Sequence, residues 1–159
     1  MKGDPKVIKL LNEALKNELT AVNQYWLHYR LLDNLGISRL AEFERHESID
    51  EMKHADELAE RILFLDGLPN FEMLGRLRIG ENVEEILRSD LELEVEAVAQ
   101  LKGAIAHCEK VQDYVSRDLF AKILGNEEEH VDTLETQFEM ISRMGLQNYV
   151  QLQSKAGEE

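Results

Sequence analysis

The sequence predicts an all-α fold, a four-helix bundle with one long crossover and a short fifth C-terminal helix. Three observations carry this expectation. Leu, Glu and Ala dominate the 159 residues, with only two prolines and nine glycines, a helix-rich composition. Apolar residues recur at helical spacing through four long segments, and no stretch alternates as a strand would. Breaks fall near 34–36, 67–82 and 111–113, so two short turns flank one long connection. Those lengths describe two helical hairpins joined by a crossover.

The first helix is expected to begin at Pro5, a favourable early position, with Asp4 as its cap. Leu11, Leu15, Glu18, Val22, Tyr25, Tyr29 and Leu32 form its inward stripe, and Gly36 supplies a left-handed stop after Asn34-Leu35. Ser38 is expected to cap the second helix, which runs to about Asp66-Gly67 with Glu47, Glu51, His54, Leu58, Ile62 and Leu65 inward. The connection from about Gly67 to Asn82 is punctuated by Pro69, Gly75 and Gly80. The third helix runs from about Val83 to Lys110, with Leu87, Leu91, Glu94, Val98, Leu101 and Ile105 inward. After a break at Val111 to Asp113, the fourth carries Ile123, Glu127, His130, Leu134 and Ile141 and ends at Gly145. Leu146 to Gln153 reads as the short fifth helix. A single domain over 1–159 is expected.

Composition excludes several classes of function. A net charge of −14 opposes general nucleic-acid binding, which needs a basic face for phosphates. No run of about 18 apolar residues is present to span a membrane, and the N-terminus lacks the apolar core of a signal peptide. The one cysteine, Cys108, reads as a buried thiol. These features favour a cytoplasmic protein.

The chemistry lies in one pattern written twice. Glu18, Glu51 and His54 are matched by Glu94, Glu127 and His130: 94 − 18, 127 − 51 and 130 − 54 all equal 76. Glu18 and Glu51 are equidistant from the first turn, and Glu94 and Glu127 from the second. At the rise of an α-helix both pairs lie roughly 20–25 Å from their turns, so they meet at mid-bundle. Residues three apart share a helix face, which lets Glu51 with His54, and Glu127 with His130, serve common centres. A lone Glu-x-x-His is usually a solvated pair. Here six polar groups interrupt otherwise apolar stripes, where burial without partners is costly. Four carboxylates and two imidazoles suit paired iron or manganese better than thiolate-seeking metals. Glu plus Glu-x-x-His, twice over, is the pattern known from ferritin-like di-iron proteins.

Longer segments make the resemblance specific. His46-Glu47-Ser48-Ile49-Asp50-Glu51-Met52-Lys53-His54-Ala55-Asp56 resembles the second-helix signature of the bacterioferritins. Met1-Lys2-Gly3-Asp4, Arg61-Ile62-Leu63-Phe64-Leu65, Asp113-Tyr114-Val115-Ser116-Arg117-Asp118 and Met144-Gly145-Leu146-Gln147-Asn148-Tyr149 are similar to the same family. The likeness extends over essentially the whole chain.

The resemblance implies an iron-storage ferroxidase. In it Glu18 and His54 serve one iron, Glu94 and His130 the other, and Glu51 and Glu127 bridge them. Such a centre passes electrons from Fe(II) to O2 or H2O2, and the ferric product mineralises. Tyr25 reads either as a further electron donor or as a packed core tyrosine. Met52 points about 100° away from Glu51 around its helix; the resemblance makes it an axial ligand of haem b (Fe-protoporphyrin IX), one sulfur from each of two subunits. That haem would admit electrons from a ferredoxin-like donor for iron release. His46 and Asp50, four apart, read either as solvated polarity or as an inner-surface iron site. Asn148 and Gln151 are implied in one channel, and Asn34, Asp66, Asp132 and Thr136 in another. The family assembles as a cage of twenty-four subunits, in some bacteria with a second subunit type. Two other readings remain at the level of sequence: a small di-iron oxidase acting on another substrate, and a haem-binding electron-transfer subunit.

Overall fold

The computed structural model describes residues 1–154; the last residues of the domain expected over 1–159 lie outside the described residues. Five helices follow one another: α1 (Pro5–Asn34), α2 (Ser38–Phe64), α3 (Val83–Val111), α4 (Tyr114–Met144) and α5 (Leu146–Gln153). Among the described residues there is no strand.

Each boundary has a local cause. Asp4 accepts hydrogen bonds from the N–H groups of Lys6 and Val7 at 2.9 and 3.0 Å, with Pro5 directly after it. Gly36 takes φ +79°, while its N–H donates to Asp33 O and that of Ile37 to Leu32 O, both at 3.0 Å. This paired closure consumes the orphan carbonyls of α1. It also drives Ile37 into the core, 6 % exposed. Ile37 therefore holds the cap position of α2 without a side-chain cap bond, and Ser38, expected as the cap, is the first helical residue. The α2 helix stops at Phe64, short of the expected Asp66-Gly67, because Asp66 adopts φ 62° and the Gly67 N–H returns to Ile62 O at 2.9 Å. Asn82 caps α3 through Glu85 N–H, and Asp113 caps α4 through Ser116 N–H, both at 3.0 Å.

The core is divided. One apolar cluster gathers Leu11, Leu15, Leu58, Ile62, Leu101, Cys108, Phe120 and Ile123. A second gathers Leu32, Leu40, Ile86, Leu87, Leu134 and Tyr149. Along every long helix the metal-competent residues fall between these clusters: Glu18 between Leu15 and Leu32, and Glu94 between Leu87 and Leu101. Each buried Leu or Ile stabilises the fold by about 1.5–3 kcal/mol, which lets the midsection carry charge. Cys108 is buried as expected, and burial with the nearby Asp113 pushes its thiol up to about 11. Tyr149 docks α5 on the bundle end, its hydroxyl donating to Gln137 Oε1 at 2.8 Å.

The crossover has no helix of its own and borrows partners from α1. Asn12 Oδ1 accepts from Asn70 N–H, Thr20 Oγ1 from Gly75 N–H, Gln24 Oε1 from Arg78 N–H and His28 Nε2 from Gly80 N–H, at 2.8 to 3.0 Å. Residues 20, 24 and 28 lie four apart on one face. At Gly80 the crossover passes so close to α3 that a Cβ would strike the backbone of Glu85 and Ile86. Gly80→Ala is expected to cost about 2–3 kcal/mol as an overpacking change. Chemical denaturation measures it; an unchanged midpoint would mean that the crossover does not need this close approach.

Candidate metal centre

The paired triplets meet between the two apolar clusters, and all six side chains are buried. They form two overlapping groups, each able to place one ligand atom per residue within 4.8 Å of the rest. One is Glu18, Glu51, His54 and Glu127; the other is Glu51, Glu94, Glu127 and His130. Glu51 and Glu127 belong to both. His54 Nδ1 lies 3.1 Å from Glu127 Oε1, 3.7 Å from Glu51 Oε2 and 3.8 Å from Glu18 Oε1. His130 Nδ1 lies 2.9 Å from Glu51 Oε1, 3.3 Å from Glu127 Oε2 and 3.6 Å from Glu94 Oε1.

The donor set fits two divalent ions. Both oxygens of Glu51, both oxygens of Glu127, Glu94 Oε2 and the Nδ1 atoms of both histidines are buried without a hydrogen-bond partner. Burying such groups unpaired is costly. Two M(II) ions would match four carboxylate charges and occupy the orphaned atoms. Each imidazole also has a partner on its far nitrogen. His130 Nε2 meets Glu47 Oε2 at 2.7 Å, and His54 Nε2 lies 3.0 Å from the Asn126 amide. A metal on Nδ1 requires the proton on Nε2: Glu47 accepts it from His130, and Asn126 would accept it from His54 with its amide oxygen, rather than the nitrogen, turned to the ring.

Electrostatics in the metal-free centre follow from crowding. Burial raises the Glu94 carboxyl well above its usual range, and Glu127 adds to the rise while His130 opposes it. Burial lowers His54, but the close carboxylates of Glu127 and Glu51 outweigh it and bring the imidazole up to about 9. His130 is driven upward against its burial by Glu127, Glu47, Glu51 and Glu94. With its folded pKa raised, His54 contributes stability to the metal-free protein that is complete below about pH 6.5. That contribution is lost as pH rises through about 9. A metal ion must displace these protons. Zn(II) affinity is therefore expected to climb about tenfold per pH unit for each proton displaced, between roughly pH 6.5 and 8.5. Competition titration across that range measures it, and a flat profile would contradict the imidazolium–carboxylate pairing.

Other residues singled out in the sequence are placed as follows. Tyr25 is fully buried, and its hydroxyl donates to Glu94 Oε1 at 2.6 Å; burial foremost, then Glu94, Asp90 and Glu44, raise its pKa. Met52 is 41 % exposed and outside both metal groups. His46 Nε2 lies 3.6 Å from Glu42, and Asp50 groups with Glu47 and His130. Asn34, Asp66, Asp132, Asn148 and Gln151 are exposed and Thr136 is half-buried. Asp66 holds the Met1 amine at 3.2 Å, and Thr136 bonds back to Asp132 O within α4. A cleft of about 290 Å³ borders the centre, lined by both histidines together with Asp50, Lys53, Glu57, Lys122, Asn126 and Glu129.

Sequence reasoning missed Asn126 and gave Glu47 no role. It also missed a second buried polar group, His28, Glu44 and Asp90. Only the helical spacing of Glu44, Glu47 and Glu51 hinted that carboxylates continue inward beyond the motif.

Comparison with known proteins agrees in extent as well as in motif. Residues 8–144 match the ferritin-like domain family. The bacterioferritin of Brucella melitensis is 52 % identical over 159 residues, covering 100 % of this chain and 99 % of that one. The chain belongs to the bacterioferritins. The bacterioferritin of Mycolicibacterium paratuberculosis is 49 % identical over 149 residues, 94 % of each chain. That of Streptomyces coelicolor is 47 % identical over 150 residues, 94 % of this chain and 90 % of its own. In this bacterioferritin, the described residues contain no helix long and apolar enough to cross a membrane, and the buried carboxylate–histidine groups fit a di-iron site.

Proposed function

We propose that this bacterioferritin stores iron by oxidising Fe(II) at the paired centre, with O2 or H2O2 as acceptor, and retaining the ferric product in a cage of its own copies. One observation carries the reading: two ligand groups share Glu51 and Glu127. Glu18 and His54 hold one ferrous ion and Glu94 and His130 the other, while the shared carboxylates bridge them. Two adjacent Fe(II) ions act together as a two-electron donor. With O2 as acceptor, which takes four electrons, Tyr25 would supply one of the two that the paired ions leave outstanding, its phenolic proton passing to Glu94 Oε1, 2.6 Å away. The cleft beside His54 and His130, lined by Lys53 and Lys122 as well as Asp50, Glu57 and Glu129, offers a polar approach, and Asp50 receives iron leaving the His130 side, with His46 one turn away.

Met52 is proposed as half of a haem site completed by a second copy. Its exposed thioether fits such a role, being unspent within the chain; haem, when bound, supplies a one-electron carrier between a ferredoxin-like donor and stored iron. Self-assembly into a cage of twenty-four, with or without a second subunit type, is supported by large apolar side chains left at the surface. They include Trp26, Phe64, Leu68, Phe71 and Met73, a distribution that calls for protein partners. Asn34, Asp66, Asp132, Thr136, Asn148 and Gln151 line openings between copies in this arrangement, which we place in the cytoplasm.

The test mixes metal-free protein with Fe(II) under anaerobic conditions, adds O2 or H2O2, and separates protein from small iron species by size. Rapid oxidation with ferric iron travelling in a particle far larger than 18.4 kDa is expected. Free precipitate formed no faster than in buffer would reject the storage reading.

A further inference from the structure

We infer that each chain holds a third divalent-cation site, formed by Glu44 of α2 and Asp90 of α3 and braced by His28 of α1. All three side chains are fully buried, and their candidate ligand atoms lie within 4.8 Å of one another. Neither carboxylate belongs to the paired centre.

The second observation is what these groups lack. Both oxygens of Glu44 and the Oδ2 of Asp90 have no hydrogen-bond partner. The remaining oxygen of Asp90 is fully committed. Its Oδ1 accepts from Gln24 Nε2 at 3.0 Å and faces His28 Nδ1 at 2.9 Å. The His28 tautomer is set from behind: Gly80 N–H donates to Nε2 at 3.0 Å, so Nε2 accepts and Nδ1 carries the proton. His28 is therefore a neutral brace that orients Asp90 and leaves Oδ2 turned to other work, the arrangement typical of a metal's outer shell. Three orphaned oxygens from two carboxylates then face one another, and among the described residues no Lys or Arg pairs with either.

Two buried carboxylates demand neutralisation. Burial and the neighbouring Asp90 already hold Glu44 well above the ordinary carboxyl range, the consequence of two buried carboxyl groups without a cation. One proton leaves one negative charge; one divalent ion cancels both. An all-oxygen donor set selects a hard ion such as Mn(II), Fe(II) or Mg(II) over thiolate-seeking metals. Loading brings in one divalent ion against the two carboxylates, and any proton held by Glu44 leaves as it enters. The roof is the crossover at Arg78 to Gly80, held by Gln24 and His28 without helical hydrogen bonds of its own, so opening that stretch admits the ion.

The test uses crystals of the full-length, assembled, metal-free protein soaked in Mn(II), with anomalous scattering to locate the ions. A peak between Glu44 and Asp90 is expected in addition to the paired-centre peaks. In solution, equilibrium dialysis of Mn(II) should show Glu44→Gln and Asp90→Asn each binding one ion fewer per chain, with helix content unchanged by circular dichroism. No density between these carboxylates overturns the proposal whatever the paired centre shows, and so does an undiminished stoichiometry in folded Glu44→Gln. Should either variant fail to fold, the unsubstituted crystals decide. A filled third position beside an inactive paired centre would leave this site standing and reject the ferroxidase reading instead.

Discussion

Replacing Glu51 by alanine is expected to slow Fe(II) oxidation by about 100-fold or more, at least as much as loss of an outer-shell partner costs a metal site. Glu51 belongs to both ligand groups, so one truncation removes a carboxylate from each ion. Its two oxygens point to opposite sides, Oε1 at 2.9 Å from His130 Nδ1 and Oε2 at 3.7 Å from His54 Nδ1. Glu18→Ala, by contrast, removes a residue from one group only and should leave the other position able to bind. Thermal unfolding separates site from fold. A divalent ion at about 100 times its Kd adds about 2.7 kcal/mol of stability, and in a domain of this size that raises Tm by roughly 5–10 °C. The unsubstituted protein should show this rise with Zn(II), and Glu51→Ala should show little of it. Unaltered oxidation in the folded variant would remove Glu51 from the centre.

Met52→Leu is expected to abolish haem binding while initial iron oxidation continues. The side chain is 41 % exposed and stands outside both metal groups. The change conserves volume, and such swaps usually cost less than about 1.5 kcal/mol even in a core. What disappears is the sulfur. Because the proposed haem takes one thioether from each of two copies, every haem loses both ligands at once. Spectroscopic haem-to-protein ratios after reconstitution measure the effect, and reductive iron release should slow in parallel. A ratio equal to that of the unsubstituted protein would show that Met52 is not the ligand.

Much of the fold was legible in particular residues. Asp4-Pro5, Gly36, Asn82, Asp113 and Gly145 mark ends that local hydrogen bonding enforces, and the helices begin or stop within a few residues of them. The misjudged boundary at Ser38 depended on Ile37, which closes α1 by donating to Leu32 O and is thereby packed into the core. The six residues of the paired centre stood out because each interrupts an apolar stripe. Thr20, Gln24, His28, Glu44 and Asp90 gave no such signal. They lie on three different helices, α1, α2 and α3, and no sequence pattern joins them, yet all five are buried. For Thr20, Gln24 and His28 the cover is the crossover, whose backbone N–H groups they accept; it arrives from more than 50 residues away in sequence, as the separations of 52 to 55 show.

The sequence by itself determined the helices, their order and the common height of six metal-competent side chains, since helical pitch and turn chemistry act between near neighbours. It also carried the bacterioferritin signature. Only the tertiary structure decided which carboxylates are shared, that Glu47 stands behind His130, and that Glu44 and Asp90 form a second buried acidic group with His28. Those outcomes depend on how helices rotate and approach one another, and a difference of a few ångströms there separates a hydrogen bond from an orphaned oxygen.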